Sequence, residues 1–242
     1  MVERQAGAIS ASMEAGRRMA DLPAPPLPRR FFERSPAEVA PDLLGNWLVR
    51  RLGRTWVVAQ IVEVEAYLGE HDAAAHAARG RTPRTEVLYG PAGHAYLYLI
   101  YGRHVCLNVA TEPAGRPGCV LLRALQPLRG TPAIRRRLAR ATAPDCELLS
   151  GPGRLTRGLA LTREWNGHDL THAGAFYLAA SSGPRGRVLV TSRIGVTHAK
   201  DWPQRYYLAD APAVTRPRGP VLAERAAQSR PLGSAHTSAR QG

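Results

Sequence analysis

The chain has 242 residues, 44% of them hydrophobic and 6% aromatic, with a formal net charge of +14. That length admits one large domain with a real core, and no apolar run approaches the roughly 20 residues that a bilayer span needs. Three cysteines, Cys106, Cys119 and Cys146, odd in number and without close pairing, argue against a disulfide framework and a cysteine-rich zinc site.

The N-terminal region lacks a continuous apolar signal core because Glu14 and Arg17 interrupt it, so a cytoplasmic protein without membrane contact is expected. Residues 1–28, ending in Pro23, Pro25, Pro26 and Pro28, and residues 217–242, rich in Pro, Gly, Ser, Ala and Arg, are expected to be disordered tails around a domain at 29–216. Residues 1–30 carry +2 and residues 217–242 carry +3, which leaves +9 of the +14 on the middle. A body this basic favours a polyanion, since Arg grips phosphate through paired hydrogen bonds. A general bias toward Ala, Arg, Gly and Pro is the competing source of the charge.

Ser35-Pro36-Ala37-Glu38 combines a capping residue, a proline at the first helical position and a glutamate placed to close a capping box, predicting a short helix that ends near Gly45. Residues 56–68 predict a strand with Val58, Val62 and Val64 on one face and Ile61, Glu63, Glu65 and Tyr67 on the other. Two readings stand for the paired glutamates: a solvated strand edge, or a general base beside a structural partner of an arginine, in an order that spacing does not give. His76 follows an alanine run and by itself reads as a surface or cap residue.

Residues 95–101 and 104–110 predict two strands of a hairpin turning at Tyr101-Gly102-Arg103, and 119–125 predicts a further strand. Tyr96 reads as core. Tyr101 at the tip is harder to place in a core and suits a wedge that fills the gap left by an extruded nucleotide. Asn108, an amide in a strand, is either a satisfied buried group or a pocket contact. Arg123 interrupts an apolar strand and needs an anionic partner, either an ion pair with Glu63 or Glu65 or a catalytic role. Thr131-Pro132 opens a helix bearing Arg135, Arg136, Arg137 and Arg140, and Ser150-Gly151-Pro152-Gly153 precedes another that runs to about Leu161. The order of elements predicts an α+β single domain around a curved, mainly antiparallel sheet, with a protruding hairpin and surrounding helices.

Five of the eight tyrosines, Tyr67, Tyr89, Tyr96, Tyr98 and Tyr101, fall in one short region with Glu65, His76 and Asn108. Aromatic faces stack on unpaired bases, so a carboxylate among tyrosines in a basic protein points to chemistry on a base taken out of its helix. Lys200 is the only lysine. Base-removing enzymes that also cut the backbone use an amine, so water is the expected nucleophile. Two other classes remain open: a metal-dependent nuclease with Glu63, Glu65 and Asp72 as ligands, and a non-catalytic nucleic-acid binder that uses the tyrosines as stacking platforms.

From about Phe31 to Thr215 the chain resembles the alkyladenine DNA glycosylase family, the 3-methyladenine DNA glycosylases of the methylpurine type. The resemblance rests on the ordered runs Leu43-Leu44-Gly45, Ile61 to Gly69, Asp72 to His76, Tyr96 to Gly102, Cys106-Leu107-Asn108, Val120 to Leu125 and Ser150-Gly151-Pro152. It implies a monofunctional enzyme that flips alkylated purines out of double-stranded DNA and hydrolyses the N-glycosidic bond. By the same resemblance Glu65 activates the water and Arg123 holds that water and the adjacent phosphate. Tyr67, His76 and Tyr98 form the base pocket, Asn108 excludes normal guanine, Leu121 packs beside the pocket and Tyr101 is the wedge. Arg103 and His104 add contacts to DNA. No cofactor, metal or protein partner is expected, and a monomer is. One segment departs from the family pattern, with Thr85 after Arg84 and the pair Leu88-Tyr89, so altered contacts to DNA or at the pocket rim are expected there.

Overall fold

The computed structural model describes residues 24–100, 102, 104–181 and 186–225. The strands are β1 (Trp47–Leu52), β2 (Thr55–Tyr67), β3 (Ala95–Ile100), β4 (His104–Thr111), β5 (Gly118–Arg129), β6 (Phe176–Ala179), β7 (Val188–Thr191), β8 (Arg205–Leu208) and β9 (Ala223–Arg225). The helices are α1 (Arg29–Phe32), α2 (Pro36–Leu43), α3 (Thr131–Leu138), α4 (Asp145–Leu148) and α5 (Pro152–Gly158). One sheet runs β3-β4-β5-β2-β8-β7-β9, with β1 pairing both β2 and β6, and every pairing is antiparallel. The α+β expectation therefore holds. The start of α2 falls where the capping motif sets it, with the Ser35 backbone N–H donating to Glu38 at 3.2 Å.

The central strand β2 changes neighbours along its length. Residues 55–60 pair with β1 and residues 63–65 with β8, while β5 follows from residue 58 to residue 67. At the changeover the ladder with β5 slips twice: Ile61 faces Leu125, Glu63 faces Ala124 and Val64 faces Leu122, so Val62 and Arg123 lack a partner opposite. Bulges of this kind bend the sheet and redirect side chains.

They also reverse the side-chain parity of the strand. Val57, Ala59 and Ile61 belong to the main core before the slip, and Val62, Val64 and Ala66 after it. This corrects the strict alternation expected from sequence, which placed Ile61 on the face of Glu63 and Glu65. With Ile61 in the core and the parity reversed, Glu63, Glu65 and Tyr67 alternate away from it.

Helix α2 packs over β2 and β5 and buries Val39, Ala40 and Leu43. Helix α5 lies on β4 and β5. At the N-terminal side Leu27 is buried and its N–H donates to the Leu178 carbonyl at 2.8 Å. At the other end β9 pairs with β7, although all three of its residues are exposed. Both segments lie inside the stretches that composition marks as tails. Composition counts apolar residues and does not see that a single leucine has a groove to fill.

Candidate active site

The hairpin β3–β4, strand β5, the segment 67–85 and the loop 194–198 enclose a cavity of about 620 Å³, within the range of small-ligand sites. Tyr67, His76, Tyr98, Asn108, Leu121 and Arg123 all line it. Six residues separated by up to 56 positions thus meet in one concavity. Ile100 lines it too and ends β3, but Tyr101 and Arg103 lie outside the described residues. His104 is exposed at the start of β4, where its ring stands against Gly153.

Glu63 and Glu65 are both completely buried, which removes the solvated-edge reading. Their surroundings differ. Glu63 is saturated: Oε1 accepts from Arg123 Nε at 3.0 Å, Arg205 Nε at 2.8 Å and the Thr215 hydroxyl at 2.6 Å, and Oε2 accepts from the Thr215 N–H at 2.7 Å. Glu65 sits directly behind the cavity wall. Its Oε1 accepts from the Ile194 N–H at 2.8 Å and lies 3.2 Å from an Arg123 guanidinium nitrogen, and its Oε2 accepts from the Tyr67 hydroxyl at 3.0 Å. Tyr67, Arg123 and Ile194 each line the cavity. A carboxylate has about four acceptor positions, so Glu65 keeps one lone pair on Oε2, next to the Tyr67 hydroxyl.

Arg123 therefore holds both carboxylates. Burial alone would weaken its charge, but Glu65 and Glu63 outweigh that and raise its pKa. Its position at the unpaired step of β5 is what lets one side chain reach two residues of β2.

Tyr98 and His76 meet edge to face at 4.3 Å, and Tyr96 completes the group at 5.3 Å from Tyr98. Tyr96 is buried as expected, yet its hydroxyl lies 2.9 Å from His76 Nδ1 and it shares the cavity wall. Arg84 approaches His76 Nε2 at 3.5 Å. Arginine only donates, so Nε2 accepts and the ring proton sits on Nδ1, directed at Tyr96. Asn108 donates to the Tyr96 carbonyl at 3.1 Å and accepts from the Cys119 thiol at 3.8 Å. It is at once a satisfied buried amide and a pocket residue.

Burial, then the nearby Arg84 and Arg79 charges, push the His76 pKa down to about 4. An unfolded histidine takes up its proton near pH 6.5. Between those values the unfolded chain binds more protons, so this contribution is intact above about pH 6.5 and is lost as pH falls to about 4. The stability advantage of wild type over His76→Gln is accordingly expected to shrink across that interval in urea titrations. A gap independent of pH would contradict the buried neutral ring.

The segment that departs from the family pattern is tied to itself. Thr85 is buried, accepts from the Thr82 N–H at 2.9 Å and donates to the Gly80 carbonyl at 3.1 Å. Tyr89 donates to Glu70 at 2.7 Å, and Arg81 pairs with Glu86 at 2.6 Å. Thr85 and Leu88 also line the cavity, along with Arg79 and Arg84.

The three carboxylates of the nuclease alternative do not converge on a cation. Glu63 faces two guanidinium groups and Asp72 is paired with Arg193, so each site already holds its positive charge. Among the described residues no group of three or more His, Cys, Asp or Glu could hold a metal ion. Sequence reading missed Arg193, Ile194, Arg205 and Thr215, which come from two loops and the four-residue strand β8, none of which leaves a periodic signal.

The cavity is thus walled by tyrosine and histidine rings, with a carboxylate and an arginine at its back, a lining on which a flat ring can stack. Residues 30–212 match the family described as Methylpurine-DNA glycosylase (MPG). Curated relatives bearing the provisional name 3-methyladenine DNA glycosylase include one from Carboxydothermus hydrogenoformans, 44% identical over 78% of this chain and 98% of its own. Another from Koribacter versatilis is 46% identical over 80% of this chain and 94% of its own. A third, from Methanocella arvoryzae, is 43% identical over 79% and 96%. The chain belongs to the methylpurine-DNA glycosylase family.

Proposed function

We propose that this enzyme starts base excision repair by swinging an alkylated purine, such as 3-methyladenine, out of double-stranded DNA into the cavity and hydrolysing its N-glycosidic bond. The observation that carries the reading is Glu65: a fully buried carboxylate just behind the cavity wall, held on one oxygen by Ile194 and Arg123 and on the other by Tyr67, all three of which line the cavity. In this reading a water reaches Oε2 beside the Tyr67 hydroxyl. Glu65 draws its proton as the water attacks the sugar carbon, and the carboxylate offsets the positive charge that grows on the sugar.

The base lies among Tyr67, His76 and Tyr98, with Asn108 and Leu121 at its edge. Alkylation at a ring nitrogen makes the purine cationic, which improves it as a leaving group and adds attraction to the tyrosine faces. Two of those rings already carry a cation, with Arg193 4.8 Å from the Tyr67 ring centre and Arg84 5.3 Å from that of Tyr98. His76, neutral near pH 7, contributes an aromatic face and no proton. Tyr101, following the cavity-lining Ile100, is assigned as the wedge, and Arg103 and His104 as contacts to the duplex. The protein acts on DNA as a monomer.

The test incubates the protein with duplexes that each carry one lesion, with a chelator present, and measures liberated free base. Release of 3-methyladenine is expected. Binding without release would favour a stacking protein that does no chemistry, and strand cleavage without free base when Mg²⁺ replaces the chelator would return the nuclease class.

A further inference from the structure

Behind Tyr67 lies an ion pair that the chemistry above does not use. Asp72 and the Arg193 side chain are both completely buried. Arg193 donates from one terminal nitrogen to Asp72 Oδ2 at 2.5 Å and from the other to Oδ1 at 2.9 Å, a two-pronged match. Asp72 also accepts the Leu68 N–H at 3.0 Å and the Ala74 N–H at 3.1 Å. Burial alone would raise its pKa, and the Arg193 and backbone hydrogen bonds outweigh that, so the carboxyl is lowered and stays ionised.

Arg193 touches the surroundings of Glu65 at three places. It donates to the carbonyl of Ala66, the residue between Glu65 and Tyr67, at 3.0 Å. Its guanidinium lies over the Tyr67 ring, whose hydroxyl holds Glu65 Oε2. It directly precedes Ile194, whose N–H holds Glu65 Oε1. Meanwhile its buried Nε–H has no acceptor among the described residues. A buried donor left unmet is costly, so the guanidinium is set by Asp72, Ala66 and Tyr67 at the expense of its own hydrogen bonding.

We propose that the Asp72–Arg193 pair is a positioning device for the general base: anchored on Asp72, Arg193 fixes the Tyr67 hydroxyl and the Ile194 amide, which between them hold both Glu65 oxygens in place behind the cavity wall. The inference rests on the role of Glu65 proposed above. Arg193 touches neither base nor water and acts through the groups it holds.

Two variants test it. Arg193→Lys keeps a cation for Asp72 but gives up the planar fork and the ring contact. Asp72→Asn combined with Arg193→Gln removes both charges together and strands neither, so it avoids the large penalty of breaking one partner of a buried pair. Each is compared with wild type for single-turnover release of 3-methyladenine at saturating enzyme, and for affinity toward a duplex carrying a tetrahydrofuran abasic analogue. Release is expected to slow about 10- to 100-fold, as when a supporting partner of a catalytic group is lost, with affinity within about threefold of wild type. A folded variant that releases base at the wild-type rate overturns the proposal. So does a parallel fall in rate and affinity, which marks a merely structural pair. Failure of wild type itself to release base would instead remove the glycosylase reading, and this inference with it.

Discussion

Glu65→Gln is expected to fold, to bind duplexes carrying the abasic analogue, and to release base about 10²- to 10⁴-fold more slowly than wild type, the range for loss of a general base. The amide is nearly the same shape as the carboxylate. Its oxygen can take the place of Oε1 toward Ile194 and Arg123, and its NH₂ can turn toward the Tyr67 hydroxyl oxygen. Arg123 keeps Glu63 as an ionised partner, so no buried charge is stranded. What disappears is the basic lone pair at the cavity wall and the negative charge that answers the developing cation. Single-turnover release with enzyme in excess separates the chemical step from binding. Release at the wild-type rate would take Glu65 out of the reaction.

Glu63→Gln should do the reverse and cost the fold about 3–5 kcal/mol, the usual penalty for removing one member of a buried ion pair. Both Arg123 and Arg205 are buried with Glu63 as a shared partner, and Arg205 is otherwise held by the Arg218 and Thr215 carbonyls and the Thr191 hydroxyl. With its oxygen in the place of Oε1 an amide can keep the Arg123, Arg205 and Thr215 hydroxyl contacts, but its NH₂ then faces the Thr215 N–H, and the negative charge that the two guanidinium groups share is gone. In a domain of this size the loss corresponds to a melting temperature lower by roughly 10 °C or more. Calorimetry or denaturant titration reads it directly, and a change within about 0.5 kcal/mol, typical of a surface site, would show that the hub is dispensable. The two outcomes together would give two glutamates, two positions apart, separable jobs, one in the reaction and the other in cohesion.

The composition of the site was legible in the sequence while its partition of labour was not. The crowding of tyrosines near Glu65, an arginine inside an apolar strand and an amide at Asn108 stood out, and Tyr67, Tyr96, Tyr98, Asn108 and Arg123 all line the cavity. Which glutamate serves as base depended on Arg205, Thr215 and Ile194, which are at least 129 positions away from Glu65 or Glu63 along the chain. No local pattern encodes a contact over that distance. The helix at Pro36 was legible because a capping box is a local device. Strands β6 to β9 span three or four residues each, too few for alternation to register. The face assignment of β2 failed at Ile61 because a bulge is a property of two strands at once, and only one of them was being read.

That paired slip at Val62 and Arg123 has a consequence for how this chain can change its length. Upstream of it odd-numbered residues fill the interior, downstream even-numbered ones do. Deleting Val62 would restore an unbroken alternation and leave Glu63, Glu65 and Tyr67 on their own face, yet it would draw each of them one place along β5 and away from Arg123 and Ile194. Insertions and deletions should therefore be absent from 57–67 and from 119–125, whereas exposed turns tolerate them better.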